Sequence, residues 1–398
     1  MTGFRVAVLS PYAHIPGHHW GNAVQLAEAL NRSSHRVVLI SSAPPIQGIE
    51  HNPNIPVVIS RPRFAAGIMA GLKDSGSEYR RNPVRQNIET ACCMFAAMKY
   101  GFQGFHLHFI DARHYLLLLF VILFPFRVTL LLGGGFPTPA GSKKRQASRW
   151  KERFTKWFWN MAFSTGRFGC NCETEEVRKD WLAEIPEAQI TTIPVALEFR
   201  ESGLTKLAAR KLLGLPQNIP VFLIFGTHRL DKDYHTVIRA ARSLGGGVHL
   251  LFAGPLISIN DPMKVARDLN FTGITAFNDF LSDESVAQCF AACDATIMPY
   301  PPGFNRGSVV LIQSAAYKRP VLASRSISFV HFIAQHRIGL LFNCGDHAAL
   351  AEHMERFQPD SKHLLLPESF HEPLSQVSMC YSWETILKTY LIYFKCLS

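Results

Sequence analysis

The chain has 398 residues, 47% of them apolar and 18% charged, and a formal net charge of +11. This length exceeds one ordinary hydrophobic core, and the composition excludes disordered and fibrous classes, so two globular domains are expected. Residues 1–200 hold 23 Lys/Arg against 14 Asp/Glu and the remainder 18 against 16, which assigns an anionic partner (membrane surface, phosphorylated substrate or nucleic acid) to the first half.

Strand and helix patterns alternate from the start. "RVAVLS" (5–10) is a short β-branched run, "NAVQLAEALNRS" (22–33) repeats apolar residues at helical spacing, and "HRVVLISS" (35–42) is a second strand. Further strands are predicted at 104–111, 127–133, 167–172 and 190–197, with helices between them. After a pause near 198–218 the alternation restarts. Strands are predicted at 221–226, 248–255, 274–279 and 295–300, and helices at 234–244, 261–270 and 282–294, with Ser282 as an N-cap. The stretch "GFNRGSVVLIQSAAYKRPVLAS" (303–324) supplies the next loop, helix and strand, and 381–397 is a last helix capped by Ser382. Continuous apolar strands separated by helices predict an α/β class with parallel sheets covered on both faces. Two doubly wound domains facing across a cleft would place ligands at the carboxyl ends of their strands.

The greasiest stretch, 115–126, has 12 residues, short of the ~20 that span a bilayer. It reads as buried core, with a re-entrant membrane segment as the alternative. "FRVAVLS" at the start reads as a strand rather than a signal peptide. The nine cysteines lack metal-ligand spacing and read as buried thiols in a reducing cytosol.

Four segments carry chemistry. In "FGTHRLDK" (225–232) a glycine ends a strand and Arg229 and Lys232 follow, which suits a diphosphate; a solvated turn with Lys232 offset by Asp231 and Asp233 is the competing reading. Gly307 precedes an almost wholly apolar helix whose first amides, at Ser308, Val309 and Val310, form an anion site; close helix–sheet packing alone would also explain the glycine. The loop "PYAHIPGHHWGN" (11–22) offers Gly17 and Gly21 for close ligand approach and His14, His18 and His19 for acting on a hydroxyl, with no carboxylate nearby to complete a metal site. In 141–160, cations interleave with Trp150, Phe154, Trp157, Phe158 and Trp159, the composition of a helix lying in a membrane interface. The alternative there is a core-facing helix with Trp157 and Phe158 turned inward. No nucleic-acid-binding module accompanies the charge.

In order along the chain, "FGTHRLDK", "LLFAGP", "DATIMPY", "GSVVLIQSAAYKRPVLAS" and "GLLFNCGDHAALAEHM" resemble GT-B glycosyltransferases of the family 4 type (glycosyl transferases group 1). "TTIPVAL" is similar to the end of that family's first domain and "YSWETILKTYLIYF" to the helix that returns to it. The resemblance implies a GT-B chain with an acceptor-side domain over 1–197, a donor-side domain over 198–380 and a returning helix over 381–398. It implies transfer of a sugar from a nucleotide-sugar to a lipid-linked, glycan or other acceptor, with retention, no metal and no cofactor, in the cytoplasm at the inner membrane face. Carried over by position, Arg229 and Lys232 hold the donor diphosphate and the amides of Gly307, Ser308 and Val309 face it. Asp279, Phe280 and Leu281 offer the base-binding backbone, and Gly17 meets the sugar phosphate.

Two departures stand out. Where the family often has two glutamates eight positions apart, this chain has Asn305 and Gln313. Gln313 would hydrogen-bond the ribose without charge assistance, and Asn305 a sugar hydroxyl. A histidine expected after the "VTLLLGGGFP" strand is replaced by Leu132, leaving His19, His106, His108 or Asp111 for the acceptor side. A non-catalytic nucleotide-sugar-binding protein is therefore the second reading, and a nucleotide-sugar epimerase the third.

Overall fold

Runs of Val, Ile and Leu with no polar face are stable only when both sides are covered, and the strands here alternate between two cores accordingly. The computed structural model describes residues 5–11, 19–44, 52–60, 65, 82–102, 104–110, 114–133, 136, 149–197, 202–256 and 259–395. The chain divides into one unit made of Met1–Ala196, Asn305–Gly307 and Trp383–Ser398, and a second made of Leu197–Phe304 and Ser308–Ser382.

In the first unit the order is β1 (Arg5–Leu9), α1 (His19–Arg32), β2 (Arg36–Ser41), β3 (Val57–Ile59), α2 (Pro83–Lys99), β4 (Gly104–Ile110) and α3 (Tyr115–Leu123). Then come β5 (Arg127–Leu132), α4 (Arg149–Ser164), β6 (Phe168–Cys172), α5 (Glu175–Glu184) and β7 (Ile190–Thr192). The strands pair in parallel in the order β3-β2-β1-β4-β5-β6-β7. Along β1, Ala7 and Leu9 enter the core shared with α3 and α4, while Val6 and Val8 enter the one shared with α1. The predicted strand over 190–197 stops at Thr192 because Pro194 has no N–H for the ladder.

One expectation needs correcting. Of the segment 115–126, Leu117, Leu118, Phe120 and Val121 are buried, but Leu116, Leu119, Leu123 and Phe124 are exposed. A short helix lying on a sheet has only one stripe covered, so a helix apolar all round leaves its other stripe in water. α4 corrects a second: Trp159 is buried and Trp157 is exposed, with Phe158 between the two.

The second unit runs α6 (Lys206–Leu212), β8 (Val221–Phe225), α7 (Tyr234–Ser243), β9 (His249–Ala253), α8 (Pro262–Asp268), β10 (Ile274–Phe277) and α9 (Asp283–Ala292). It continues with β11 (Ala295–Met298), α10 (Val309–Ala316), β12 (Val321–Ser324), α11 (Ile327–His336), β13 (Gly339–Phe342), α12 (His347–Glu355) and α13 (His371–Cys380). Its parallel sheet has the order β10-β9-β8-β11-β12-β13. Phe222 and Ile224 of β8 face one core, Val221 and Leu223 the other. Ser282 caps α9 as expected, accepting from the Ser285 amide at 3.2 Å. The chain's last described helix, α14 (Trp383–Lys395), packs in the first unit, where the Trp383 indole donates to Gln25 at 2.9 Å.

The predicted α/β class, with two doubly wound parallel sheets, is the observed one. In the second unit the strand order reverses between β8 and β11, and the loops leaving these two strands flank the place where open α/β sheets bind ligands.

Candidate functional site

At that switch point the loop after β8 begins with Gly226, whose φ is +86°, a region costly for other residues. A Cβ on Gly226 would lie 3.6 Å from the Lys232 ammonium and 3.6 Å from Val310 on α10, so glycine, lysine and the helix start meet at one point. Gly254, ending β9 with φ +147°, lies against the same residue: a Cβ there would sit 2.6 Å from the Gly226 carbonyl carbon. Two glycines on adjacent strands thus keep the sheet edge low.

The cationic loop is built rigidly. Lys232 is buried and donates to the carbonyls of Phe225 (2.7 Å) and Gly226 (2.9 Å). Arg229 makes two bonds to Asp231, at 3.0 and 2.8 Å, and lies 5.7 Å from the Tyr300 ring centre. Asn260 fastens the loop through the carbonyls of Arg229 (2.6 Å) and Lys232 (2.9 Å). The aspartates divided their tasks in a way the sequence did not display. Asp231 neutralises Arg229, whereas Asp233 caps α7 by accepting from the Thr236 amide at 3.0 Å. Burial pushes the Tyr300 phenol up to about 12, although the Arg229 charge pulls the other way.

His228, in the same loop, is fully buried with Nδ1 2.7 Å from the Tyr234 hydroxyl. Burial first, then the Lys232 charge, lowers its pKa from the ordinary 6.5 to about 4. A base with a depressed folded pKa stabilises the fold above its unfolded value and loses that contribution as pH falls. Between pH 6.5 and pH 4 the fold should lose roughly 3 kcal/mol from this group. Urea unfolding at both pH values checks it, and His228→Gln should flatten that part of the profile.

α10 starts at Val309 with Ser308 as N-cap, its side chain accepting from the Leu311 amide at 3.4 Å. The first-turn amides precede any intrahelical acceptor, as an anion site requires. Within this helix Gln313 has a buried Oε1 with no hydrogen-bond partner among the described residues. Asn278 Oδ1, just after β10, is buried in the same condition. Beside it Asp279 and Phe280 are exposed and Leu281 packs on the core.

The other predicted residues fall in the first unit. Asn305 and Gly307 group there: the Asn305 carbonyl accepts from the Thr174 hydroxyl at 3.2 Å, and a Cβ on Gly307 would overlap the Glu173 side chain. Glu173 was not singled out by sequence. Burial, opposed by Arg306, raises its carboxyl to about 7. His19 is the first residue of α1. Gly17 and Asp111 lie outside the described residues, as do His14 and His18. His106 is core: Nδ1 is 3.0 Å from the Thr129 hydroxyl, Tyr390 and Phe394 stack edge-on, and burial drives its pKa well down. His108 is buried on the same strand. Gly254, Asn260 and Tyr300 are further additions of the structure. Only Gly254 had a legible signal, as a glycine directly after an apolar strand.

Two doubly wound parallel sheets in one chain, with a glycine, a buried lysine and a helix start at a switch point, define the GT-B class of fold. Residues 206–366 match the family model described as glycosyl transferases group 1. A lipopolysaccharide core biosynthesis glycosyltransferase, LpsE of Rhizobium meliloti (strain 1021), is 29% identical over 185 residues, 46% of this chain and 52% of that protein. The chain thus spans about half the length of this curated relative. Sucrose-phosphate synthase from Thermosynechococcus elongatus superposes with a TM-score of 0.72 at 17% identity, covering 98% of each chain. Anabaena HepE, solved in complex with UDP and glucose, gives 0.70 at 15% identity over 98% of this chain and 99% of that one. At such identities these two structures establish likeness of fold.

Proposed function

We propose that the protein is a retaining, metal-independent glycosyltransferase. It would use a nucleoside-diphosphate sugar and act in the cytoplasm, at the inner membrane face, on a lipid-linked, glycan or other acceptor. The observation that carries this reading is the meeting of Gly226, Lys232 and the α10 start at the switch point of the second sheet. A diphosphate there would be held by the Lys232 ammonium, by Arg229 and by the amides of Ser308 and Val309. The unpartnered Oε1 of Gln313 supports a role toward the ribose hydroxyls, because buried polar atoms are normally paired. The backbone at Asp279, Phe280 and Leu281 would meet the base. On the first unit, Gly17 would face the sugar phosphate, His19 and Asp111 the acceptor, and Asn305 a sugar hydroxyl. The match to glycosyl transferases group 1, the similarity to LpsE and the UDP and glucose bound by Anabaena HepE support the reading.

A thermal-shift screen over nucleoside diphosphates and their sugar conjugates tests it. A ligand at a hundred times its Kd should stabilise the fold by about 2.7 kcal/mol. A panel in which none shifts the melting point would sink the donor assignment. The amides Asn305 and Gln313, standing where a carboxylate pair is expected, favour a second reading, a protein that binds nucleotide-sugar without turnover. Under that reading a donor shifts the melting point while neither hydrolysis nor transfer is detected with any acceptor.

A further inference from the structure

α3 and α4 lie side by side in the first unit. The Tyr115 hydroxyl bonds Thr155 at 2.8 Å, its ring lies 6.0 Å from those of Phe154 and Phe158, and the Arg167 guanidinium reaches the Val121 carbonyl at 3.3 Å. On α3 and its end, Leu116, Leu119, Leu123 and Phe124 are exposed, Leu123 by 64%. On α4, Phe154 and Trp157 are exposed and stacked at 6.2 Å, Trp157 by 52%. Scattered exposed apolar residues are ordinary, but six large ones on two adjacent helices form a patch that needs an occupant.

We propose that this face docks onto an anionic lipid bilayer. The inference is independent of the donor site and of catalysis. Charge selects the occupant. Between residues 143 and 156 the sequence has seven Lys/Arg and one Glu. The two carboxylates beside the patch, Glu152 and Glu184, share Lys156, so one negative charge is left against the six other Lys/Arg of 143–156, of which Arg153 is exposed on α4. A second copy meeting the same face would set like charges against each other, whereas anionic headgroups complement them. Exposed tryptophan beside leucine and phenylalanine suits the headgroup boundary. Among the described residues no helix is long and apolar enough to cross a membrane, so the contact is one of lying on the surface.

The test is cosedimentation of the full chain with vesicles of phosphatidylcholine alone or with a quarter phosphatidylglycerol, at low and high salt. The expected result is binding to the anionic vesicles that weakens with salt. Arg153→Gln should reduce the partition coefficient about fivefold and Leu123→Ser with Trp157→Ser at least about tenfold. Ile259→Ser, an exposed apolar residue of the second unit, should leave it unchanged. Quenching of tryptophan emission by brominated lipid, lost in Trp157→Phe, gives a readout that does not depend on the double variant folding. Pelleting that ignores lipid charge, or a double variant with native melting that binds like the wild type, overturns the proposal. So does a wild-type dimer by light scattering that Leu123→Ser with Trp157→Ser dissociates, which would make the face a protein interface.

Discussion

Lys232→Ala is expected to abolish the nucleotide-induced rise in melting temperature and to lower sugar transfer at least about a hundredfold. The size of the effect follows from how the ammonium is held. Its two bonds to the carbonyls of Phe225 and Gly226 fix it at the carboxyl edge of β8, where a flexible surface lysine would have to be ordered on binding. Burial lowers the local dielectric, so its attraction for a diphosphate exceeds that of an exposed cation. Arg229 should matter less. Its charge is already met by Asp231, and a phosphate would compete with that carboxylate, so Arg229→Ala should weaken donor binding by no more than about tenfold. Because Lys232 also ties down two strand-end carbonyls, Lys232→Met, which keeps the aliphatic stem, separates packing from charge. Isothermal titration with the nucleotide found in the thermal screen decides. Unchanged affinity in Lys232→Met would remove the lysine from the site.

The fold was legible because a parallel sheet buried on both faces leaves long apolar runs, as in "VFLIF" and "HLLFA", and the helix cap Ser282 stands where its element begins. The loop Gly226–Lys232 was legible as a strand-ending glycine followed by cations. What stayed hidden were relations of direction and distance. Leucines 116 to 119 are chemically identical in sequence, and only the sheet beneath them decides that Leu117 and Leu118 turn inward while their neighbours do not. The approach of Gly254 to Gly226 joins residues far apart in sequence, and Asn260 acts across a loop that no spacing rule connects to residues 229–232. Trp157 and Trp159 show the same limit: two positions on a helix turn a side chain by more than half a circle, so which one is core depends on the helix's rotation.

The second large effect is expected at Asp294, just before β11. Asp294→Ala should destabilise the second unit by about 3–5 kcal/mol, read from urea unfolding. Its carboxylate holds the buried Arg210, accepts from Lys206 at 2.9 Å, and accepts from the Val221 amide at 2.7 Å. Arg210 is otherwise spent on backbone, donating to Ala292 at 2.9 Å and to Gln217 and Ile219 at 3.0 Å each. Removing the aspartate leaves a buried guanidinium without its counter-charge and a strand amide without an acceptor. Asp294→Asn, retaining one acceptor, should cost about half as much. Replacing both partners by apolar residues, Arg210→Met with Asp294→Leu, often rescues a buried pair. Here it should not, because three carbonyls lose their donor along with the charge. A double variant as stable as wild type would show that those carbonyls find other partners. The network joins the starts of β8 and β11, the two strands that border the switch point, while Lys232 and Gly226 stand at the far end of β8. The same strand that orders the candidate phosphate site is thus anchored at its opposite end by a buried ion pair. In Asp294→Asn the nucleotide-induced melting shift should persist although the starting temperature falls. Loss of both together would mean that the site's geometry depends on this anchor.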